Sequence, residues 1–124
     1  MFNNLPKEAR QRLDREQNIW IASVRPDGRP HLAPVWFVFF EDRLYIGTDQ
    51  RSVKSSNMLQ NPKVALALEG GDHPVICEGV ARFLSQPYPE ALLGVFMQKY
   101  EWDITTDDRY NQVIEISPQK WLTW

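Results

Sequence analysis

The segment from His31 to Phe40 constrains the fold more than any other part of the chain. Read as a strand, whose side chains alternate between faces, it puts Val35, Phe37 and Phe39 on one side and Trp36, Val38 and Phe40 on the other. Both faces are apolar from Val35 onward, so both must be taken out of water, and one open sheet layer cannot do that. The segment therefore calls for a curved or double-layered β architecture with something packed outside it.

Neighbouring segments supply the other strands. Ile19 to Arg25 comes before it, joined by Pro26-Asp27-Gly28-Arg29, a turn of the Asp-Gly kind that links antiparallel strands. Glu41-Asp42 turns the chain into Arg43 to Gly47, and Lys63 to Glu69, Val75 to Leu84 and Gln112 to Ser117 complete six strands. Pro118 is expected to end the last of these, leaving a tail that carries Trp121 and Trp124. A helix is predicted from Pro6, at a first helical position, to Arg15, with Ala9 and Leu13 on one face. Another spans Ser52 to Gln60 and is stopped by Asn61-Pro62. A third spans Glu90 to Tyr100, with Leu92, Leu93, Phe96 and Tyr100 at helical spacing. The fold class is mainly β: a six-stranded, mostly antiparallel barrel with short helices at its rims, residues 1–124 forming one domain.

A chain of 124 residues builds a single core but is too small to enclose a large ligand unaided, so a second copy is expected to contribute. Charge is nearly balanced, 14 basic against 16 acidic residues, which argues against nucleic acid or an anionic membrane as the main partner. No apolar run approaches the ~18 residues of a membrane span, and the charged N-terminal segment does not read as a signal peptide. The single cysteine, Cys77, excludes an internal disulfide and fits a reducing cytoplasm. Its alternation with Val75 and Gly79 reads as buried packing. Two histidines and one cysteine do not make a zinc site, so no metal is expected.

The chemistry concentrates in Thr48-Asp49-Gln50-Arg51-Ser52-Val53-Lys54-Ser55-Ser56. Here a strand end meets a helix start that offers the hydroxyls of Thr48 and Ser52, the planar fork of Arg51 and the point charge of Lys54. Free N–H groups in a first helical turn, together with adjacent cations, favour a phosphate dianion. A solvated helix start capped by Ser52 or Asp49 accounts for the same residues equally well.

Taken in order, Ile19 to Val24, the Asp27-Gly28-Arg29-Pro30 turn, His31-Leu32-Ala33-Pro34-Val35-Trp36-Phe37 and the Thr48, Arg51, Lys54, Asn61-Pro62 block resemble the pyridoxamine 5'-phosphate oxidase-like, flavin-binding split-barrel family. The resemblance covers residues 5 to 122. It implies a split barrel that binds FMN, with the main chain of Leu32 to Phe37 along the isoalloxazine ring, so that Pro34, Val35, Trp36 and Phe37 become cofactor-binding positions. Thr48, Ser52 and Lys54 match the phosphate-holding segment, with Arg51 displaced two residues from where the family's oxidases carry an arginine beside the lysine. The resemblance further implies a homodimer with each flavin in the subunit seam, closed by a partner segment like His73 to Gly79 and an aromatic like Trp121. The tail Ser117 to Trp124 lacks the basic motif that grips the vitamin phosphate in the true oxidases. The expected activity is therefore hydride transfer to an unidentified small molecule, as in the family's shorter relatives.

No catalytic acid, base or nucleophile is assigned. His31 and His73 read as surface residues; a haem-binding relative would need one of them as axial ligand. Glu78 is expected to pair with Arg82 or across the strand. A deazaflavin with an acidic tail would want a basic groove, for which Arg25, Arg29 and Lys63 are scattered candidates, and FMN is favoured over it. A flavin-binding module without turnover is the remaining alternative.

Overall fold

Residues 5–124 are described by a computed structural model. Helices α1 (Lys7–Arg15), α2 (Val53–Gln60) and α3 (Glu90–Tyr100) are set among strands β1 (Asn18–Val24), β2 (Pro30–Phe40), β3 (Arg43–Thr48), β4 (Lys63–Leu68), β5 (Val75–Phe83) and β6 (Gln112–Thr123). Every neighbouring pair is antiparallel, and the sheet closes in the order β1-β2-β3-β6-β5-β4. Closure removes the sheet edges and gives β2 the two-sided environment its sequence requires. Among the described residues no helix is long and apolar enough to cross a membrane, and no cluster of His, Cys, Asp or Glu is placed to hold a metal ion.

One face of β2 fills the barrel. Val35 and Phe37 are buried there with Ile19, Ile21, Leu44, Ile46, Leu66, Ile114 and Ile116, and Ala9 and Leu13 of α1 join the same cluster. Outside, Val38 and half-buried Phe40 pack with Tyr88, Leu92, Phe96, Ile104 and Val113, most of which belong to α3 and the chain around it. The second apolar face is thus covered over Val38 and Phe40 by this same chain rather than by a second copy. Further along that face, Leu32 and Trp36 stay 63% and 47% exposed.

Two boundaries differ from the sequence reading. Pro6 is the N-cap of α1 and not its first helical residue. β6 runs through Pro118 to Thr123 because a register shift pairs Gly79 with Pro118 and Glu78 with Lys120, leaving Gln119 as the extra residue of a bulge. Past Ile116 the strand has no β3 partner, so a proline without an N–H costs little there. Gly79 is required at this crossing: a Cβ on it would stand 2.7 Å from Ile116 Cγ2 and 2.8 Å from the Ser117 carbonyl. Arg82 pairs with Glu115 on β6, at 3.1 Å, rather than with Glu78. Cys77 is buried as expected, and burial pushes its thiol up to about 12.

Lys99 ties α3 to α1. Its ammonium donates to the Leu13 carbonyl at 3.3 Å and sits 3.9 Å from the centroid of the Phe37 ring. Burial lowers its pKa to about 8, although Asp14 and Glu16 pull the other way. A lysine whose folded pKa is depressed binds fewer protons folded than unfolded between about 8 and its ordinary value near 10.4, so its contribution to stability rises with pH across that window. In urea unfolding from pH 7 to 10.5, the stability of the natural protein relative to Lys99→Met is expected to climb above pH 8. A flat difference would mean that the ammonium is freely solvated.

Candidate functional site

β2 has more residues than either neighbour can pair. β1 matches Pro30 to Trp36, whereas β3 matches only Phe37 to Phe40, so β2 and β3 part company beyond Phe37 and Ile46. Gly47 and Thr48 of β3 continue alongside β6 instead, opposite Val113 and Gln112. The barrel is split at this point. A cavity of about 490 Å³ lies in the gap, lined by Pro34, Val35 and Trp36 on one side, Gly47 on the other, and Lys54, Trp102, Asp107 and Tyr110 around them.

Backbone groups of β2 face this gap. The hydroxyl of Tyr100 accepts the Phe37 N–H at 2.9 Å and lies 2.7 Å from the carbonyls of Phe37 and Gln17, continuing the β1 side of the ladder where β1 has not yet begun. Phe37 therefore points its main chain toward β1, and by strand alternation Val35 does so too. Pro34 and Trp36 point theirs into the gap, which suits a proline, since it has no N–H to lose from a ladder. The Trp36 N–H and the Pro34 and Trp36 carbonyls are what the gap offers a ligand.

Aromatic rings make the wall. Trp36 stacks on Tyr100 with ring centroids 4.5 Å apart and planes 7° from parallel, and meets the edge of Trp102 at 5.8 Å. Trp102 in turn stands edge-on to Phe96 of the outer core. Its indole N–H donates to Asp107 at 3.0 Å, and the same carboxylate accepts the N–H groups of Arg109 and Tyr110. Those main-chain donors hold the Asp107 pKa below its usual range. One acidic side chain thus shapes the whole loop that roofs the cavity.

Lys54 supplies a half-buried cation to the lining, and burial lowers its pKa against the opposing pull of Asp49. His31 stands at the β1 side of β2, opposite Ser23, and among the described residues its buried Nδ1 has no hydrogen-bond partner. Burial first, then the charges of Arg25 and Lys54, lower its pKa.

This arrangement has relatives. The family model described as pyridoxamine 5'-phosphate oxidase matches residues 5–124. The chain belongs to that family. No protein of curated function matches it closely enough to count as a relative. Among solved structures, it is similar to the conserved hypothetical protein Rv2991 from Mycobacterium tuberculosis, at 26% identity and a TM-score of 0.76, covering 94% of this chain and 82% of that one. It is similar to an F420 reductase at 22% identity and a TM-score of 0.76, covering 94% and 98%. It is also similar to HutZ, the haem storage protein of Vibrio cholerae, at 14% identity and a TM-score of 0.81, covering 96% and 94%.

Within this family fold the residues singled out from sequence fall into three groups. Pro34, Val35, Trp36 and Lys54 come together around the cavity, while Phe37 sits just beyond it with its side chain in the barrel core. Thr48 and Ser52 lie beneath the site. Thr48 is fully buried, its Oγ1 2.9 Å from Ser55 Oγ, and Ser52 Oγ caps α2 by accepting the Ser55 N–H at 3.2 Å. Arg51 is bound to Asp49 at the rim, and Trp121 lies away from this cavity, on β6 opposite Cys77 and edge-on to Phe39. Sequence reasoning did not single out Gly47, at a strand end, or Trp102, Asp107 and Tyr110, which lie between the third predicted helix and the last strand. The available signal was Asp107 standing two and three residues before Arg109 and Tyr110, the spacing at which an aspartate accepts from its own loop backbone.

Gly47 is needed because Trp102 lies across it: a Cβ there would be 2.5 Å from the indole and 2.6 Å from Ile104 Cδ1. Gly47→Ala is expected to cost roughly 1–3 kcal/mol of stability by overpacking and to shift tryptophan emission as Trp102 is displaced. Unchanged urea midpoint and emission would show that the roof yields freely.

Proposed function

We propose that this protein is a flavin-binding oxidoreductase that holds FMN in the gap between β2 and β3 and passes hydride to or from a small-molecule substrate. The observation that carries the proposal is the unpaired main-chain edge at Pro34 and Trp36, beside a half-buried lysine in the same cavity. A flat, amphipathic ring matches a slot with a polar backbone edge and aromatic walls, and a phosphate matches Lys54 at its end. Bound there, a flavin would supply the electron-carrying ring. The chain's own part is to orient that ring through the Trp36 N–H, to hold the phosphate, and to keep water out with Trp36, Trp102 and Tyr110.

The active unit in this reading is a homodimer. Leu32, Pro34 and Trp36 form an exposed apolar stripe next to the gap, and a second copy laid on it would cover the open side of the ligand. The single buried thiol fits a cytoplasmic location. A deazaflavin is the second reading; its anionic tail would pass the exposed cations Arg51 and Arg109 beside the cavity.

The absorption spectrum and mass of the small molecule that co-purifies with the protein test the assignment. FMN is the expected result; a deazaflavin supports the second reading, and a haem spectrum overturns both. Trp36→Ala should keep part of the FMN affinity, whereas Trp36→Pro, which removes the free N–H, should abolish it; equal effects would move the ring elsewhere. Lys54→Ala should weaken FMN binding by about ten- to a hundredfold, the worth of one charge-assisted hydrogen bond, and leave phosphate-free riboflavin unaffected.

A further inference from the structure

Asp49 is the hub of a basic cluster at the edge of the cavity. Its carboxylate is nearly buried, yet both arginines bound to it are exposed, their side chains 77% (Arg51) and 65% (Arg109) accessible. Oδ1 accepts the Arg51 main-chain N–H at 2.9 Å and Arg51 Nε at 3.2 Å; Oδ2 accepts Arg51 Nη2 at 3.4 Å and Arg109 Nε at 3.0 Å. Hydrogen bonds from Arg51, the main-chain one first, hold the Asp49 pKa down to about 2, so it is charged at every working pH.

Arg109 meets Asp49 through its Nε edge, and its guanidinium lies 5.2 Å from the centroid of the Tyr110 ring, which lines the cavity. Asp49 leaves both terminal nitrogens of Arg109 free to donate, and Asp107 fixes the Arg109 backbone from the other side. Lys54, close enough for Asp49 to act on its charge, lines the same cavity. The charged groups facing one another here are therefore Arg51, Lys54 and Arg109 against Asp49 and Asp107.

We infer that Arg109 is a phosphate-binding residue of the cofactor site, and that Asp49 is the positioning residue that sets Arg51 and Arg109 side by side with their free donors toward the incoming anion. Two segments sixty residues apart in the chain are joined by this one carboxylate, which gathers two guanidinium groups, and Asp49 also acts on the charge of Lys54. The inference rests on the flavin reading above and adds to it the groups that select a phosphorylated ligand over its alcohol.

The test is fluorescence titration of the full chain with FMN and with riboflavin, scored as the ratio of the two affinities. Arg109→Gln is expected to lower FMN's advantage by about tenfold with riboflavin unchanged, and Arg109→Lys, which keeps charge without the fork, by less. Asp49→Asn should lower the same ratio, since both arginines lose their anchor; riboflavin affinity reports whether that variant is folded. Should it fail to fold, the Arg109 variants decide. If the natural protein binds FMN and riboflavin equally, the phosphate reading itself falls, and this inference with it. A natural preference for FMN that survives Arg109→Gln intact overturns the inference alone. A ratio that rises in Asp49→Asn makes Asp49 a competitor of the phosphate and overturns its positioning role.

Discussion

Everything in this protein is arranged around a strand that is apolar on both faces. β2 closes the barrel with Val35 and Phe37 inside and receives α3 over Val38 and Phe40 outside, so it contributes to both hydrophobic clusters, as β3 and β6 do beside it. A strand fixed so firmly at one end can be left unpaired at the other. Beyond Phe37 it loses β3, and the backbone it leaves open is held in extended form by β1 alone. Burial at one end of β2 thus supports an exposed hydrogen-bonding edge at the other, which would be a liability in an isolated sheet.

Tyr100 connects the two halves of that design. Its ring supports Trp36 at the cavity, and its hydroxyl completes the ladder at Phe37 where β1 has not begun. Burial pushes that hydroxyl up to about 12, so it remains a donor throughout the physiological range. Because Tyr100 ends α3, the packing of the outer core sets the position of the cavity wall. Asp107 does the equivalent for the roof: its carboxylate gathers one indole and two backbone donors, and so turns a polar connection into a shaped loop.

The electrostatics of the rim follow the same economy. Asp49 and Asp107 are spent on positioning: one holds two guanidinium groups, the other a loop backbone. Lys54 is left as the half-buried cation on the cavity side, with its charge opposed by burial and favoured by Asp49. The ring of His31 stands opposite Ser23, which Asn57 of α2 holds at 3.1 Å, and within reach of the charges of Arg25 and Lys54.

Much of this was legible in the sequence for a simple reason: strand alternation, Asp-Gly and Asn-Pro punctuation and helical spacing are local, and they fixed six strands, three helices and the two-faced character of β2. Pro34, Val35 and Trp36 could be picked out through the family resemblance, and Lys54 also from its place at a helix start beside hydroxyls. Other features needed the third dimension. Pro118 looked like a strand end, since only the bulge opposite Gly79 and the absence of β3 there show why it is tolerated. That Arg51 shares Asp49 with Arg109 appears only in the folded chain, and Glu115 could not be matched to Arg82 and Tyr45 without the β3, β5 and β6 registers. The sequence by itself determined which segments are strands and which strand must be covered on both sides, because those are matters of neighbouring residues. Where β2 and β3 separate, and which distant side chains line the resulting gap, was decided only by closing the barrel, because strand register is a relation between segments that no local pattern contains.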